Sequence, residues 1–373
     1  MNKEKSFHEP LFRISKRDTL PWWKMLLAYA GLVLSAFVVI LIVIWAVLGI
    51  SPWKAIIYIF DGSFKSRGDF FDMMKDTSIL LMIALALTPA FKMKYWNIGA
   101  EGQVLFGGFA CVVCMMSLGG KIPEPLLIVI MFVASVVGGA LWAVIPAIFK
   151  AIWKTNETLF TLMMNYIATQ IVLYYIKVVD TIKAGNLPPQ DFGRIPLIGG
   201  EKAWLCVISA LLVTFIVWIY TKFTKHGYEM SIVGESENTA RYIGVNVKKV
   251  VIRTLILSGA ICGLVGFILV GGIDYTVSAE TVGGRGFTAI LVAWLAKLNP
   301  FIMILSSFLV VFLTRGTSQI MMNLRVANDF FSNVVIGLMF FMIIAGEFFI
   351  VYRVKIKKFD LEKLKFWKRR KKD

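Results

Sequence analysis

The sequence predicts an all-α fold, a polytopic integral membrane helical bundle of about ten spans with both termini cytoplasmic, built on a hydrocarbon core of roughly 30 Å. Three observations predict it. Of 373 residues, 58% are hydrophobic and 17% are charged, with a mean hydropathy of +0.74; a soluble domain carries about 25% charged residues. Apolar runs of near spanning length recur, and they are continuous rather than alternating, which argues against a β-barrel. Hydrocarbon offers backbone groups no partner, so each run must be a helix that satisfies its own hydrogen bonds. Finally, much of the net charge of +17 lies beside apolar runs, in "KRDTLPWWK" (Lys16 to Lys24) and "RVKIKKFDLEKLKFWKRRKKD" (Arg353 to Asp373). Positive flanks mark the cytoplasmic side. Phe359, Leu361, Leu364, Phe366 and Trp367 within the tail suit an anionic lipid surface, so the expected partner is membrane lipid and not nucleic acid.

Residues 1–25 read as a basic cytoplasmic segment, 26–352 as the transmembrane domain and 353–373 as a basic cytoplasmic tail. Leu26 to Ile50 is a full-length span without a small-residue cleavage site, hence an uncleaved helix and not a signal peptide. Ser51 to Asp76 is amphipathic and is expected outside. Thr77 to Phe91 and Val104 to Leu118 are short apolar runs around "NIGAEGQ" (Asn97 to Gln103). Pro125 to Phe149 crosses fully, Lys150 to Glu157 is a basic inner loop, and Thr158 to Val179 crosses again. Asp180 to Lys202 is an outer loop with Pro188, Pro189 and Pro196. Trp204 to Tyr220 returns inward, and residues 221–249 form the longest inner connection. Val250 to Gly272 spans outward to the polar, glycine-rich Asp274 to Gly286. Phe287 to Leu298 and Phe301 to Thr314 are short spans about Asn299-Pro300, and Phe330 to Val351 closes the set. The two halves hint at a repeat. A glycine-broken motif (Asn97 to Gly108) precedes a span opening at Asn156-Glu157, and "VGGRGFTAILVAWL" (Val282 to Leu295) precedes one opening at Asn328-Asp329. Broken helices in matching positions of two halves point to a transport path.

Several function classes drop out. Cys111, Cys114, Cys206 and Cys262 all lie in apolar runs, and "CVVC" has no βαβ context, so core thiols are expected and not a redox pair. His8 and His226 have no partner-ligand pattern, and no metal site is expected. No cluster of His, Asp or Ser near an interface suggests a catalytic residue. No G-x-x-x-x-G-K-[ST] occurs, so the chain itself binds no ATP through a P-loop. Gly259, Gly263 and Gly266 lie along one helix side and read as a close-packing stripe.

Two elements carry mechanism. Polar groups and irregular backbone at membrane depth face protein or a water-filled cavity. Asn97, Gly99, Glu101 and Gln103 therefore have two readings: they line a path, or they form an interfacial turn near Lys92 and Lys94 with Glu101 solvated or capping a helix. Asn165, Tyr166, Gly284, Arg285, Gly286 and Phe287 join them as expected path-lining groups, with Tyr166 and Phe287 suited to stacking on a base. On the inner side, Ser236 can cap a short helix through Glu237, Ala240 and Arg241 that ends at Gly244; with Glu235 these residues make a docking element for a partner.

Four stretches bring in a family: "NIGAEGQ", "NETLFTLMMNYIA" (Asn156 to Ala168), "GYEMSIVGESENTARYIGVN" (Gly227 to Asn246) and "GRGFTAILVAWLAKLNP" (Gly284 to Pro300). In order and spacing they resemble the permease subunit of bacterial ABC importers, in the nucleoside-importer branch of the ribose and branched-chain amino-acid permease superfamily. The resemblance implies a multi-pass plasma-membrane subunit working by alternating access. It implies a separate ABC ATPase carrying ATP and Mg, a second, unlike permease, and an extracytoplasmic substrate-binding lipoprotein. The Gly227 to Asn246 stretch would be the coupling helix, and the solute a nucleoside, with ribose-type sugars or another small polar solute as the alternative. A transporter driven by H⁺ or Na⁺, with Glu101 as its proton site, is the rival mechanism. This chain departs from the branch at Ser236-Glu237, where Asn-Pro is usual, at Thr239, where Ala is usual, and at Arg285, where an aromatic is frequent. Trp294 and Ala296 also replace residues that are usually smaller or more flexible. Arg285 beside the path would favour a more polar or anionic ligand.

Overall fold

A computed structural model describes residues 12–16, 21–179, 187–325 and 330–356. Its helices are α1 (Trp22–Leu48), α2 (Pro52–Phe64), α3 (Arg67–Lys92), α4 (Ala100–Leu118), α5 (Glu124–Trp153), α6 (Glu157–Val179), α7 (Lys202–Phe223), α8 (Lys225–Glu235), α9 (Glu237–Tyr242), α10 (Val247–Phe267), α11 (Arg285–Leu295), α12 (Pro300–Asn323) and α13 (Phe330–Val351). A π-helical stretch, Ile268–Asp274, continues α10. Among the described residues seven helices are long and apolar enough to cross a membrane, with shorter apolar stretches in α11 and α13.

The chain divides into two compact units, Met1–Ala55 with Val334–Asp373, and Ile56–Asn333. In the first, α1 meets α13, where a β-carbon at Gly346 would run into the Leu32 side chain. Strands β1 (Phe12–Lys16) and β2 (Tyr352–Ile356) pair antiparallel, from Phe12 opposite Ile356 to Lys16 opposite Tyr352. The ribbon ties the two ends of the described chain together. Sequence patterning did not separate this short pair from the basic flanks. Residues 357–373, 180–186 and 326–329, with most of the lipid-facing tail and the Asn328-Asp329 repeat signal, lie outside the described residues.

The second unit is organised around α3, whose residues from Ser78 to Phe91 are all buried. A helix that is apolar all round must be enclosed by others, and α7, α10, α11 and α12 surround it. Three spans expected to be short are full helices, α4 among them because it starts at Ala100 and not at Val104. α3 begins ten residues before Thr77 because Ser66 and Asp69 form a reciprocal capping box: Ser66 Oγ accepts from the Asp69 N–H at 3.2 Å, and Asp69 Oδ2 accepts from the Ser66 N–H at 3.1 Å. α12 starts at Pro300 behind an Asn299 cap, with Asn299 Oδ1 accepting from the Phe301 N–H at 3.0 Å, and it runs past Thr314 to Asn323. The polar "TRGTSQ" stays helical because Thr314 and Thr317 hydrogen-bond back to carbonyls one turn earlier and Arg315 finds an acidic partner on α3.

Against this centre, α10 packs on α4 and α5 through glycines. A β-carbon at Gly107 would approach the Gly263 Cα to 2.6 Å, one at Gly263 would collide with the Ser135 carbonyl, and one at Gly139 with that of Gly259. Hydrocarbon gives helices no hydrophobic incentive to associate, so dispersion at such close approach does the holding. Gly263→Leu should therefore destabilise the bundle by at least the roughly 1–3 kcal/mol of an overpacked core. Fluorescence-monitored melting in detergent checks it, with Gly31→Ala as control, since nothing lies within 4 Å of that position; equal midpoints for the two variants would refute the packing account.

Candidate functional site

After α3 the chain turns sharply at Lys94, in the left-handed region with φ 56°. Tyr95 to Gly99 then runs as irregular backbone to the start of α4. Side chains satisfy this segment. Asn97 Oδ1 accepts from the Gly99 N–H at 3.0 Å and from Gln103 Nε2 at 3.2 Å, and Asn97 Nδ2 donates to Ser258 Oγ on α10 at 3.3 Å. From α6, Asn165 Oδ1 accepts from the Gly102 N–H at 2.9 Å while Asn165 Nδ2 donates to the Ile98 carbonyl at 2.9 Å. Thr161 Oγ1 accepts from the Ile98 N–H at 3.2 Å. Asn97 and Gln103 are fully buried in this network. It is the form in which irregular backbone is tolerated at membrane depth.

The two glycine-broken motifs meet. Glu101 Oε1 accepts from the Gly284 N–H at 2.8 Å, and Glu101 Oε2 accepts from the Gly286 N–H at 2.7 Å. The carboxylate thus caps α11, pairing N–H groups that a helix start leaves free and meeting the positive end of its dipole. Glycine is required on the receiving side. Gly284 is left-handed at φ 74°, and a β-carbon at Gly286 would fall 2.6 Å from the Glu101 nitrogen. α11 is eleven residues long, about 16 Å at 1.5 Å per residue.

Arg285, beside this junction, faces outward into a cavity of about 750 Å³. Its walls come from α3 (Lys75, Asp76), the π-helical stretch (Asp274) and the following loop (Thr276, Ser278, Glu280). Arg285 Nη2 binds Asp76 Oδ1 at 3.2 Å, and Arg315 binds Asp76 Oδ2 through Nε at 3.0 Å and Nη2 at 2.6 Å. One carboxylate therefore joins α3, α11 and α12. Lys75 pairs with Asp72 at 2.5 Å. Sequence reading missed Asp76, Asp274, Glu280 and Arg315; charges inside otherwise apolar helices were the available signal for Asp76 and Arg315. Tyr166 and Phe287 do not line this cavity. Tyr166, 61% exposed, lies beside Gln170 and Tyr174 on an exposed face of α6, and Phe287 is 43% exposed on α11.

In the connection between α7 and α10, Thr224 caps α8 and Ser236 caps α9, with Ser236 Oγ accepting from the Thr239 N–H at 3.3 Å. α9 closes at Gly244, with φ 84°, where the Val245 N–H donates to the Ala240 carbonyl at 2.9 Å. Ala240 is buried with Met93, Tyr95, Met230 and Val233 in one apolar cluster, and a β-carbon at Gly234 would strike the Lys92 carbonyl. Glu235, Glu237, Arg241, Tyr242 and Ile243 are exposed, Tyr242 by 93%. Arg253 Nη2 binds Glu229 Oε2 at 2.8 Å, tying α10 to α8. That hydrogen bond holds the Glu229 carboxyl below the usual carboxylate range. The pair therefore contributes at neutral pH and is lost only as pH falls through the lowered value.

Two outcomes follow from the junction and the cavity wall. Glu101→Ala leaves two N–H groups without an acceptor, each worth about 1–3 kcal/mol, and should lower the melting midpoint more than Glu101→Gln, which keeps one oxygen; the reverse order would discount the cap. Asp76→Asn leaves Arg285 and Arg315 facing each other without a counter-charge, and should cost between the roughly 0–1 kcal/mol of an exposed pair and the roughly 3–5 of a buried one. The double variant Asp76→Asn/Arg315→Gln should recover part of that loss in the same melts.

Three relatives frame the site. The glucose ABC transporter permease protein TsgB13 of Haloferax volcanii is 27% identical over 366 residues, covering 92% of this chain and 93% of that protein. The guanosine ABC transporter permease protein NupP of Bacillus subtilis is 31% identical over 223 residues, covering 58% of this chain and 64% of that protein. The nucleoside ABC transporter permease protein NupB of Lactococcus lactis subsp. cremoris is 26% identical over 272 residues, 68% of this chain and 73% of that protein. A family model described as the permease component of a branched-chain amino acid transport system matches residues 70–344, which hold the Glu101 junction, the outer cavity and α8–α9. By that match the chain belongs to the family of branched-chain amino acid transport system permease components.

Proposed function

We propose that this multi-pass membrane protein is the permease subunit of an ATP-driven importer of nucleosides. The contact of α8 and α9 with the Lys92–Tyr95 turn carries the mechanism. That turn leads within six residues to Glu101, and Glu101 holds the start of α11 beside the outer cavity. A push on the exposed surface of α9 is therefore delivered to the outer cavity through packed side chains and a two-point hydrogen bond, without a flexible linker between. Such rigid-body transmission is how a packed bundle switches between discrete arrangements.

In this reading a separate ABC ATPase, which binds ATP and Mg, docks on Glu235, Glu237, Arg241, Tyr242 and Gly244 and drives alternating access. A second, unlike permease completes the path, and an extracytoplasmic lipoprotein delivers solute to the outer loops. Asn97, Gly99, Gln103 and Asn165 brace the moving joint. Gly284, Arg285 and Gly286 border the solute. The nucleoside assignment is supported by the names of NupP and NupB together with the four sequence stretches of that branch. Sugars are the second reading, favoured by TsgB13, whose match covers nearly the whole chain. Arg285 shares the Asp76 carboxylate with Arg315, so the trio keeps one positive charge beside the cavity.

Coexpression with the ATPase and second permease tests the docking surface. Tyr242→Ala/Ile243→Ala should reduce copurified ATPase at least about tenfold, the scale of a lost aromatic hot spot, while leaving the melting midpoint of the chain alone unchanged. Normal copurification with normal nucleoside-stimulated ATP hydrolysis would place the contact elsewhere. A complex that responds to sugars and to no nucleoside would select the second reading.

A further inference from the structure

The exposed faces of the spans are not alike. On α5 every exposed residue from Leu126 to Phe149 is apolar, and so is every exposed residue of α7 from Ile208 to Ile219. Both faces suit lipid. On α6, Tyr166, Gln170 and Tyr174 recur every four residues and so share one side of the helix. All three are exposed, Tyr166 by 61% and Tyr174 by 71%. They border a groove of about 370 Å³ whose other walls are Ile167 and Ile171. That volume lies within the range of small-molecule clefts.

Lipid does not fit this stripe. Gln170 sits in the central turns of the Glu157–Val179 span. Among the described residues its amide has no hydrogen-bond partner, and hydrocarbon supplies none. Tyrosines near the end of a span belong to the interfacial aromatic belt. The belt accounts for Tyr174 and leaves Tyr166 and Gln170 unexplained. A packed helix does not fit either. Membrane helices meet through small residues, as α5 and α10 do at Gly139 and Gly263, whereas this stripe carries large side chains. What satisfies an amide between two phenol rings at this position is water and a solute that passes through it. The stripe is also tied to the joint. Asn165, one residue before Tyr166, binds the Gly102 N–H and the Ile98 carbonyl, so a shift of the α4 start reaches the groove directly.

We propose that Tyr166, Gln170 and Tyr174 form a nucleobase-binding wall of the translocation path. The rings and the two isoleucines take the face of the base, and the Gln170 amide reads its edge. The proposal rests on the nucleoside reading and deepens it. A base has a π-face that stacks on aromatic rings and an edge of donors and acceptors; an amide offers both a donor and an acceptor. Tyr166 thereby keeps the stacking role, on a wall separate from the outer cavity.

The test uses the complete transporter in proteoliposomes, with its binding protein. Gln170→Cys is probed with the charged thiol reagent methanethiosulfonate ethylammonium, and the parent chain, whose Cys111, Cys206 and Cys262 are buried, gives the background. The introduced thiol should be labelled above that background and protected by saturating guanosine. In uptake, Tyr166→Ala/Tyr174→Ala should lower guanosine transport about tenfold or more, the scale of lost base stacking, while Tyr166→Phe/Tyr174→Phe stays within about twofold of wild type. Gln170→Leu should change the relative uptake of guanosine, inosine and adenosine by about threefold or more, as the loss of one hydrogen bond does. No labelling above background in a complex that assembles places the stripe against lipid or a helix of the second permease and overturns the wall. Labelling that no nucleoside slows overturns it too, as does equal loss of uptake in the alanine and phenylalanine variants. If wild type carries nucleosides and any of these results is found, the wall alone fails. If wild type carries a hexose and no nucleoside, the nucleoside reading fails and the wall with it.

Discussion

The centre of this bundle depends on a single carboxylate. An ionisable Glu101 enclosed by apolar helices is costly alone, and so are the free N–H groups where α11 begins. Each removes the other's penalty, because two backbone donors and a helix dipole meet two carboxylate oxygens at 2.8 and 2.7 Å. The irregular backbone before α4 and the glycine-rich loop before α11 can exist at that depth only because they close on each other. The Asn97, Gln103, Asn165 and Thr161 network extends the same solution to the rest of the break.

The junction also joins the two faces of the protein. Below it, the Lys92–Tyr95 turn packs with α8 and α9; above it, Arg285 reaches Asp76 and so α3 and α12. Close glycine contacts among α4, α5 and α10 give a rigid body for these parts to move against. Rigid helices linked by a few two-point polar contacts suit a device that must change arrangement without exposing backbone to lipid.

Much of this was legible in the residues. The spans and the glycine stripe follow from hydropathy and small-residue spacing. The α9 cap at Ser236 and stop at Gly244 are local signals, and both are present. Two of the three helix lengths were misjudged because charge inside a helix reads as a loop until its partner is known. For α3 the Ser66–Asp69 capping signal was in the sequence; for α12 it was Asp76, more than two hundred residues away, that made Arg315 tolerable.

The sequence by itself determined the helical membrane class, the position of the two chain breaks and the caps of α9. These depend on transfer from water to hydrocarbon and on capping, which act over a few residues. Only the tertiary structure decided what the polar groups do. It made Glu101 a cap for a helix in the other half, tied Arg285 and Arg315 to Asp76, and left Tyr166 exposed. A charge takes its role from its counter-charge, and both counter-charges of Asp76 come from helices more than two hundred residues away.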